Sequence, residues 1–245
     1  IEGATVSLGG AITTQGAAGV VVTGNATIAA DTTITTTTGN GVVTFTEKID
    51  GAGAGAQSLT IASGGTGAVD IAKAIGSTTP LNNLTINSAA GTGTIAVNNI
   101  GATAAGPSYT YGVAGTTTIG HTTSGNVTLD GTVYNTGTAA YEAASDKKIL
   151  ITQANPAFRG DNGGSDTISF LEAPVEIKDG TFSVTTQGKN IIFDGAITSN
   201  PASGTDEIVT LTTGGSTGQV TVVAIGGGGK IASVGIEGAT VSLGG

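Results

Sequence analysis

The most recognisable chemical pattern is Arg159, Gly160 and Asp161, which spell an integrin-type RGD tripeptide. The flanking stretch is rich in Gly and Asn, which are typical of a turn. A guanidinium and a carboxylate presented together on such a turn could bind a cell-surface receptor. An ordinary polar turn has the same composition, so a single tripeptide leaves both interpretations open.

A second pattern overlaps the first. The stretch Asp161 to Ile168 partly matches the Ca²⁺-binding nonapeptide G-G-x-G-x-D-x-U, with Gly164, Asp166 and Ile168 in register. Asp161 and Asp166 would supply the carboxylates. Calcium rolls stack several consecutive copies, because their ligands come from adjacent turns. With one imperfect copy, Ca²⁺ is the one cofactor that the sequence leaves open, and no other is expected.

Catalytic groups are scarce. His121 is the single histidine and the chain has no Cys. The carboxylates of Asp70, Asp130, Asp179 and Asp194 are far apart in the sequence and tied to turns. Nucleophilic triads and sugar-cleaving sites need converging side chains. We therefore predict no enzymatic activity.

The composition indicates an elongated fold. The 245 residues include 43 Gly but no Met or Trp, and only 10% are charged. A net charge of −9 with one Arg argues against binding nucleic acid through phosphate neutralisation. No apolar run approaches the length of a membrane helix, so no membrane span is expected in this segment. Abundant Gly with recurring aliphatic residues is typical of a solenoid built from short strands and turns.

Short stretches of alternating β-branched residues recur from end to end and predict many short strands. Asp-Gly pairs, such as Asp50-Gly51 and Asp130-Gly131, predict corners between them. The stretch Ala139 to Lys148 is compatible with a helical turn, and the stretch Gly106 to Tyr111 is expected to leave the coil. We predict that both are loops.

Three Asn residues precede strand-like runs in N-x-T sequences, at Asn25, Asn83 and Asn126. They have the form of glycosylation acceptors, but a Thr-rich chain produces such sequences by chance. We expect each Asn to sit at a coil corner, bonded to its own backbone or stacked on another Asn.

One internal spacing gives the length of a coil. Aliphatic residues recur after 25 or 26 positions, in the pairs Leu59/Leu84, Ile61/Ile86, Val69/Ile95, Ile71/Val97 and Ile75/Ile100. This spacing favours an all-β, right-handed parallel β-helix, a β-solenoid of about 9–12 coils, in which each strand pairs with its counterpart one coil away. An antiparallel sandwich of hairpins is the alternative, and the long spacing argues against it.

The decapeptide IEGATVSLGG occurs twice, as Ile1 to Gly10 and as Ile236 to Gly245. Identity over ten residues indicates a tandem array, with residues 1–235 as one unit and 236–245 as the start of the next. Residues 1–245 are then a single β-solenoid segment. Because the copies have a strand pattern, we expect the junction to be a coil and both copies to occupy the same environment.

The stretch Val43 to Ala89 resembles the repeats of giant bacterial β-strand-repeat surface proteins of the filamentous-haemagglutinin and autotransporter-adhesin type. The resemblance is carried by the Ile49-Asp50-Gly51 corner, the Leu59-Thr60-Ile61 strand, and the segment from Ile75-Gly76 to Leu84-Thr85-Ile86. It implies secretion, a β-helical shaft and a role at the cell surface.

These observations together predict a non-enzymatic structural repeat of a secreted bacterial filament or fibrous adhesin. Its partners would be adjacent copies of the unit, joined end to end, and its location extracellular. The alternative is a carbohydrate- or receptor-binding adhesin module, with a localised patch that would include Tyr109, Tyr111 and Arg159. Surface glycans or receptors of a host or neighbouring cell would then be further partners.

Overall fold

Alternation of aliphatic and polar residues decides the local structure, because successive side chains of a strand point to opposite faces. The computed structural model describes residues 1–36, 39–87, 89, 91–102, 111–160, 166–200, 207–226 and 231–244. Within these residues the chain forms 23 strands and no helix. In a typical strand, Leu59–Ser63, every second side chain is buried.

The strands are numbered in chain order. The first twelve are β1 Glu2–Thr14, β2 Val20–Thr36, β3 Val43–Phe45, β4 Ile49–Gly51, β5 Leu59–Ser63, β6 Val69–Ile71, β7 Leu84–Ile86, β8 Ile95–Val97, β9 Thr117–Gly120, β10 Val127–Leu129, β11 Val133–Asn135 and β12 Ala139–Glu142. The remaining eleven are β13 Ile149–Ile151, β14 Ala157–Gly160, β15 Ile168–Leu171, β16 Val175–Ile177, β17 Thr181–Thr186, β18 Ile191–Phe193, β19 Ile197–Ser199, β20 Ile208–Thr212, β21 Gln219–Val222, β22 Ser233–Glu237 and β23 Thr240–Leu243.

Parallel pairing between coils arranges these strands in three ladders, which the chain visits in a fixed order. Inward residues of ladder 1 are Val22, Phe45, Ile71, Val97, Leu129, Ile151, Ile177 and Ser199. Those of ladder 2 are Val6, Ala26, Ile49, Ile75, Ile100, Tyr134, Phe158, Val184, Leu211 and Ile236. Those of ladder 3 are Ile12, Ile34, Ile61, Ile86, Ile119, Tyr141, Phe170, Phe193, Val222 and Leu243.

The fold is therefore a parallel β-solenoid, as the sequence predicts, with about nine turns. All five residue pairs of the 25- and 26-residue spacing are register partners in adjacent coils. Coil length varies: the bond from the Thr116 amide to Asn83 spans 33 residues, whereas that from the Lys148 amide to Asn126 spans 22. The strands nevertheless pair in register in the long coil and in the short one.

The interior is aliphatic near the N-terminus but aromatic further along. Six rings, from Tyr134, Tyr141, Phe158, Phe170, Phe182 and Phe193, contact one another across ladders 2 and 3. The expected loop or helical turn at Ala139 to Lys148 is wrong for its first four residues, because Ala139–Glu142 is strand β12 and Tyr141 is fully buried. Ring burial in the core outweighs the modest helix propensity of the local sequence.

Polar side chains at the corners bond the backbone of the neighbouring coil. Asn83 Oδ1 accepts from the Thr116 amide at 2.8 Å, and Asn126 Oδ1 accepts from the Lys148 amide at 3.0 Å. The expectation of bonds to their own backbone is wrong for these two residues. Asn25 lies inside β2, at the expected corner, where the chain passes from Val22 of ladder 1 to Ala26 of ladder 2. Asp50 and Gly51 also lie within a strand, β4, and Asp50 accepts from the Thr78 amide.

Candidate functional site

The first copy of the decapeptide lies almost entirely in β1. Val6 and Leu8 face inward and are only 6% and 4% exposed. Their register partners in the next coil are Ala26 and Ile28, which cover them. A register shift at Gly3-Ala4 separates this part of β1 from Glu2.

The second copy forms the last coil. Ile236 and Glu237 end β22, Thr240–Leu243 is β23, and Gly238-Ala239 separates the two strands. Val241 and Leu243 are the inward residues here, but they are 43% and 61% exposed. Identical residues are thus buried where a following coil covers them and exposed where none does.

The two copies do not occupy equivalent ladders. In the first copy, Ile1 belongs to ladder 1, because its amino group bonds Val21 O and its carbonyl accepts from the Thr23 amide. In the second copy, Ile236 pairs with Leu211 in ladder 2. Leu8 likewise lies in ladder 2, opposite Ile28, whereas Leu243 lies in ladder 3, opposite Val222.

The expectation that both copies share one environment is therefore wrong, because each residue of the second copy lies one ladder further along the coil than its counterpart in the first copy. In both copies the Gly-Ala pair lies at a change of ladder, as a register shift within β1 at Gly3-Ala4 and as a break between β22 and β23 at Gly238-Ala239, and the same side chains face inward. Gly10, the end of the first copy, opens the ladder 3 part of β1, whereas Gly245, the end of the second, lies outside the described residues. The open coils at the two ends of the solenoid form the candidate assembly site.

The RGD tripeptide does not form a turn as a whole. Arg159 and Gly160 are in strand β14, where Arg159 pairs with Asn135 on one side and Thr185 on the other. Gly160 is buried, and a β-carbon there would lie 3.0 Å from Asp166 O. Asp161 lies outside the described residues. The expected turn at Arg159 and Gly160 is replaced by a strand because Phe158 needs burial in the aromatic core.

Of the calcium candidates, Asp166 is buried just before β15, and Asp161 lies outside the described residues. Across the described part of the chain, no group of three or more His, Cys, Asp or Glu side chains could hold a metal ion. His121 lies at a turn, where its Nδ1 is 3.2 Å from the Thr123 hydroxyl. The structure thus assembles no metal-binding cluster around these residues within the described ranges.

The tyrosines of the expected binding patch are only partly described. Tyr111 is half-buried and is the first residue of the described range 111–160. Tyr109 and most of the loop expected at Gly106 to Tyr111 lie outside the described residues. Arg159 is on β14, in the coil after Asn135. A patch uniting these residues stays a prediction.

A shallow polar groove, which we did not anticipate, lies beside ladder 1. It consists of two adjoining depressions that share Asn98 and Asp130; Asp70 lines the first, and Asn99, Thr132 and Gln153 line the second. Asp130 accepts hydrogen bonds from the Thr152 hydroxyl and, at 2.7 Å, from Gln153 Nε2. Asp70 and Asp130 are distant in sequence but line the same groove. The signal that could have revealed this was the 26-residue spacing that places Asp70 opposite Ala96.

No helix among the described residues is long and apolar enough to cross a membrane. The chain matches no family model, no curated protein and no solved structure.

Proposed function

We propose that this chain is a non-enzymatic structural repeat of a secreted bacterial cell-surface filament or fibrous adhesin, whose β-helical shaft continues from unit to unit. The supporting observation is the contrast between Leu8, which is 4% exposed, and Leu243, which is 61% exposed in an identical decapeptide. What buries Leu8 is the coil that contains Ile28. A following unit would supply that coil to Leu243.

Adjacent copies of the unit, joined end to end, are then its main partners. The exposed edge of β23 offers unpaired backbone groups, and a matching parallel strand would satisfy them. Solenoids are stabilised by such nearest-neighbour interfaces between coils. The extracellular location belongs to the same proposal and rests on the resemblance to bacterial surface repeats.

Electron microscopy of chains that carry one, two and three 235-residue units tests this proposal. Each added unit should lengthen a thin rod by about 45 Å, since about nine turns advance by about 4.8 Å each. A two-unit chain with Leu243→Asp is the matched control and should show a bend or gap at the junction. Rods that do not lengthen with unit number would contradict a shaft.

A carbohydrate-binding adhesin module is the second candidate, and the groove beside ladder 1 favours it. Carboxylate and amide groups of Asp130, Asn98 and Gln153 are suited to hydrogen bonding with sugar hydroxyls. A glycan array probed with the chain should lose its signals in Asp130→Asn and Gln153→Ala variants. Asp146→Asn, in the exposed turn between β12 and β13, is the control. Unchanged glycan-array signals in all variants would contradict carbohydrate binding in the groove.

A further inference from the structure

The one-ladder offset between the two copies fixes how successive units stack. Val6 is the first and Ile236 the last of the ten stacked inward residues of ladder 2, so the chain makes nine full turns between them. The residue equivalent to Val6 is Val241, which lies one ladder beyond Ile236. A 235-residue period therefore corresponds to nine turns plus the step from one ladder to the next.

The corner inside the decapeptide is compatible with this offset. Gly3-Ala4 turns the chain from ladder 1 into ladder 2, and Gly238-Ala239 turns it from ladder 2 into ladder 3. Gly3-Ala4 is a register shift within the continuous strand β1, whereas Gly238-Ala239 separates β22 from β23. The same Gly-Ala pair thus serves both changes of ladder, so the decapeptide can begin a unit on either ladder.

The residues after the decapeptide fit the next corner as well. A further unit would continue Leu243 as Leu8-Gly9-Gly10-Ala11-Ile12. Two coils before Leu243, the chain passes from ladder 3 to ladder 1 through Phe193-Asp194-Gly195-Ala196-Ile197. Gly, Ala and Ile follow Phe193 in the same positions in which they follow Leu8. One coil later, Val222 leads to Ile225, which bridges Ile197.

Gly195 explains why a glycine matters at this corner. A β-carbon at Gly195 would lie 2.2 Å from the carbonyl oxygen of Ala173 in the coil below. Gly10 of a following unit would occupy the corresponding place, and Ile12 would stack on Ile225 as a rung of ladder 1. The sequence that follows the decapeptide is thus compatible with this corner, where the intervening coil carries Ala224 at the same offset from Val222.

We infer that each unit continues the shaft displaced by one ladder, so that ladder 2 of a unit stacks on ladder 3 of the unit before it. This inference rests on the proposed tandem shaft. Three units, about 28 turns and about 130 Å of axis, restore the starting ladder. Any outward feature, such as the exposed turn at Asp146, then recurs on three sides of the filament and not along one line.

Cysteine pairs in a two-unit chain test the inference, because the natural sequence has no Cys. In the offset arrangement Ser242, which is also Ser7 of the second unit, stands opposite Thr221. Without the offset, Val241 would follow Leu211 in ladder 2, and Ser242 would stand opposite Thr212. Facing residues of parallel strands lie about 4.8 Å apart, within the range of a disulfide.

After mild oxidation, Thr221→Cys/Ser242→Cys should cross-link as completely as the control pair Ser183→Cys/Thr210→Cys, whose partners face each other within one unit. Thr212→Cys/Ser242→Cys should cross-link at least about tenfold less, because its thiols are on different ladders. Intact-mass and thiol-alkylation measurements count the bonds. The reverse preference, or no cross-link from either junction pair, overturns the offset. Rod length in the same two-unit chain separately reports whether a shaft forms at all.

Discussion

Phe170 and Phe193, register partners in ladder 3, stack with ring centroids 4.6 Å apart and planes 6° from parallel. Phe170 also contacts Tyr141 at 5.2 Å and Phe158 at 5.3 Å. It therefore joins three consecutive coils of the aromatic core. Ring packing between coils adds to the backbone ladders at this part of the shaft.

Phe170→Ala should lower the free energy of unfolding by about 3–5 kcal/mol, because it leaves a cavity among four rings. Phe170→Leu keeps most of the volume and should cost about half as much, mainly the lost ring contacts. Urea titrations followed by circular dichroism measure both. A loss below about 1 kcal/mol for Phe170→Ala would contradict a tightly packed aromatic core.

Asn155 has a left-handed backbone, with φ of 56°, and its Oδ1 accepts from the Thr181 amide of the next coil at 2.9 Å. Asn155→Gly removes the hydrogen bond but suits the backbone. Asn155→Ala removes the bond and adds the strain of a β-carbon, so it should be less stable than Asn155→Gly by about 1 kcal/mol. Thermal denaturation of the two variants compares them directly, and the opposite order would contradict the corner geometry.

Two buried tyrosines predict loss of stability in alkali. Burial raises the pKa of Tyr134, whose hydroxyl accepts from the Gly131 amide at 2.7 Å, and burial also raises the pKa of Tyr141. In the unfolded chain a tyrosine loses its proton near pH 10. Their contribution is thus complete below about pH 10 and declines as the pH rises above it, because the unfolded chain then binds fewer protons.

Urea midpoints measured between pH 8 and pH 12 should therefore fall above about pH 10. Tyr141→Phe keeps the ring and removes one ionising hydroxyl, so its midpoint should fall less steeply. Equal slopes for the variant and the natural chain would show that Tyr141 does not contribute to the alkaline transition.

Leu8 and Leu243 are the same residue of the repeated decapeptide in different surroundings. In the 245-residue chain, Leu8→Ala should cost about 2–3 kcal/mol, because Leu8 is buried beneath Ile28. Leu243→Ala should cost under about 0.5 kcal/mol, because that side chain is largely exposed. In a two-unit chain the Leu243→Ala cost should rise toward that of Leu8→Ala. Equal costs of Leu243→Ala in the two chains would argue against burial at the junction.

The sequence predicts the solenoid well where coils are regular. Leu59/Leu84 and Val69/Ile95 recur at the spacing of one coil, so their pairing can be read directly. The sequence predicts turns less well where a large aromatic residue lies next to polar residues. Arg159 resembles a turn residue, yet its neighbour Phe158 must be buried, and the strand follows from that requirement.

The ladder offset could not be predicted from residue counts. Leu84 to Thr117 and Val127 to Ile149 are each one coil, but the first spans 33 residues and the second 22. A period of 235 residues is therefore compatible with several numbers of turns. The pairing of Val241 with Val220 in ladder 3 is the observation that places the second copy one ladder further on than the first.

The central claim, that the shaft continues through the decapeptide, is tested most directly by hydrogen exchange of the peptide spanning residues 231–243. Its β22 and β23 backbone is paired on one side only in the 245-residue chain. In a two-unit chain a following coil should pair the other side, and exchange of this peptide should slow by about 100-fold or more. An unchanged exchange rate would contradict a continuous shaft.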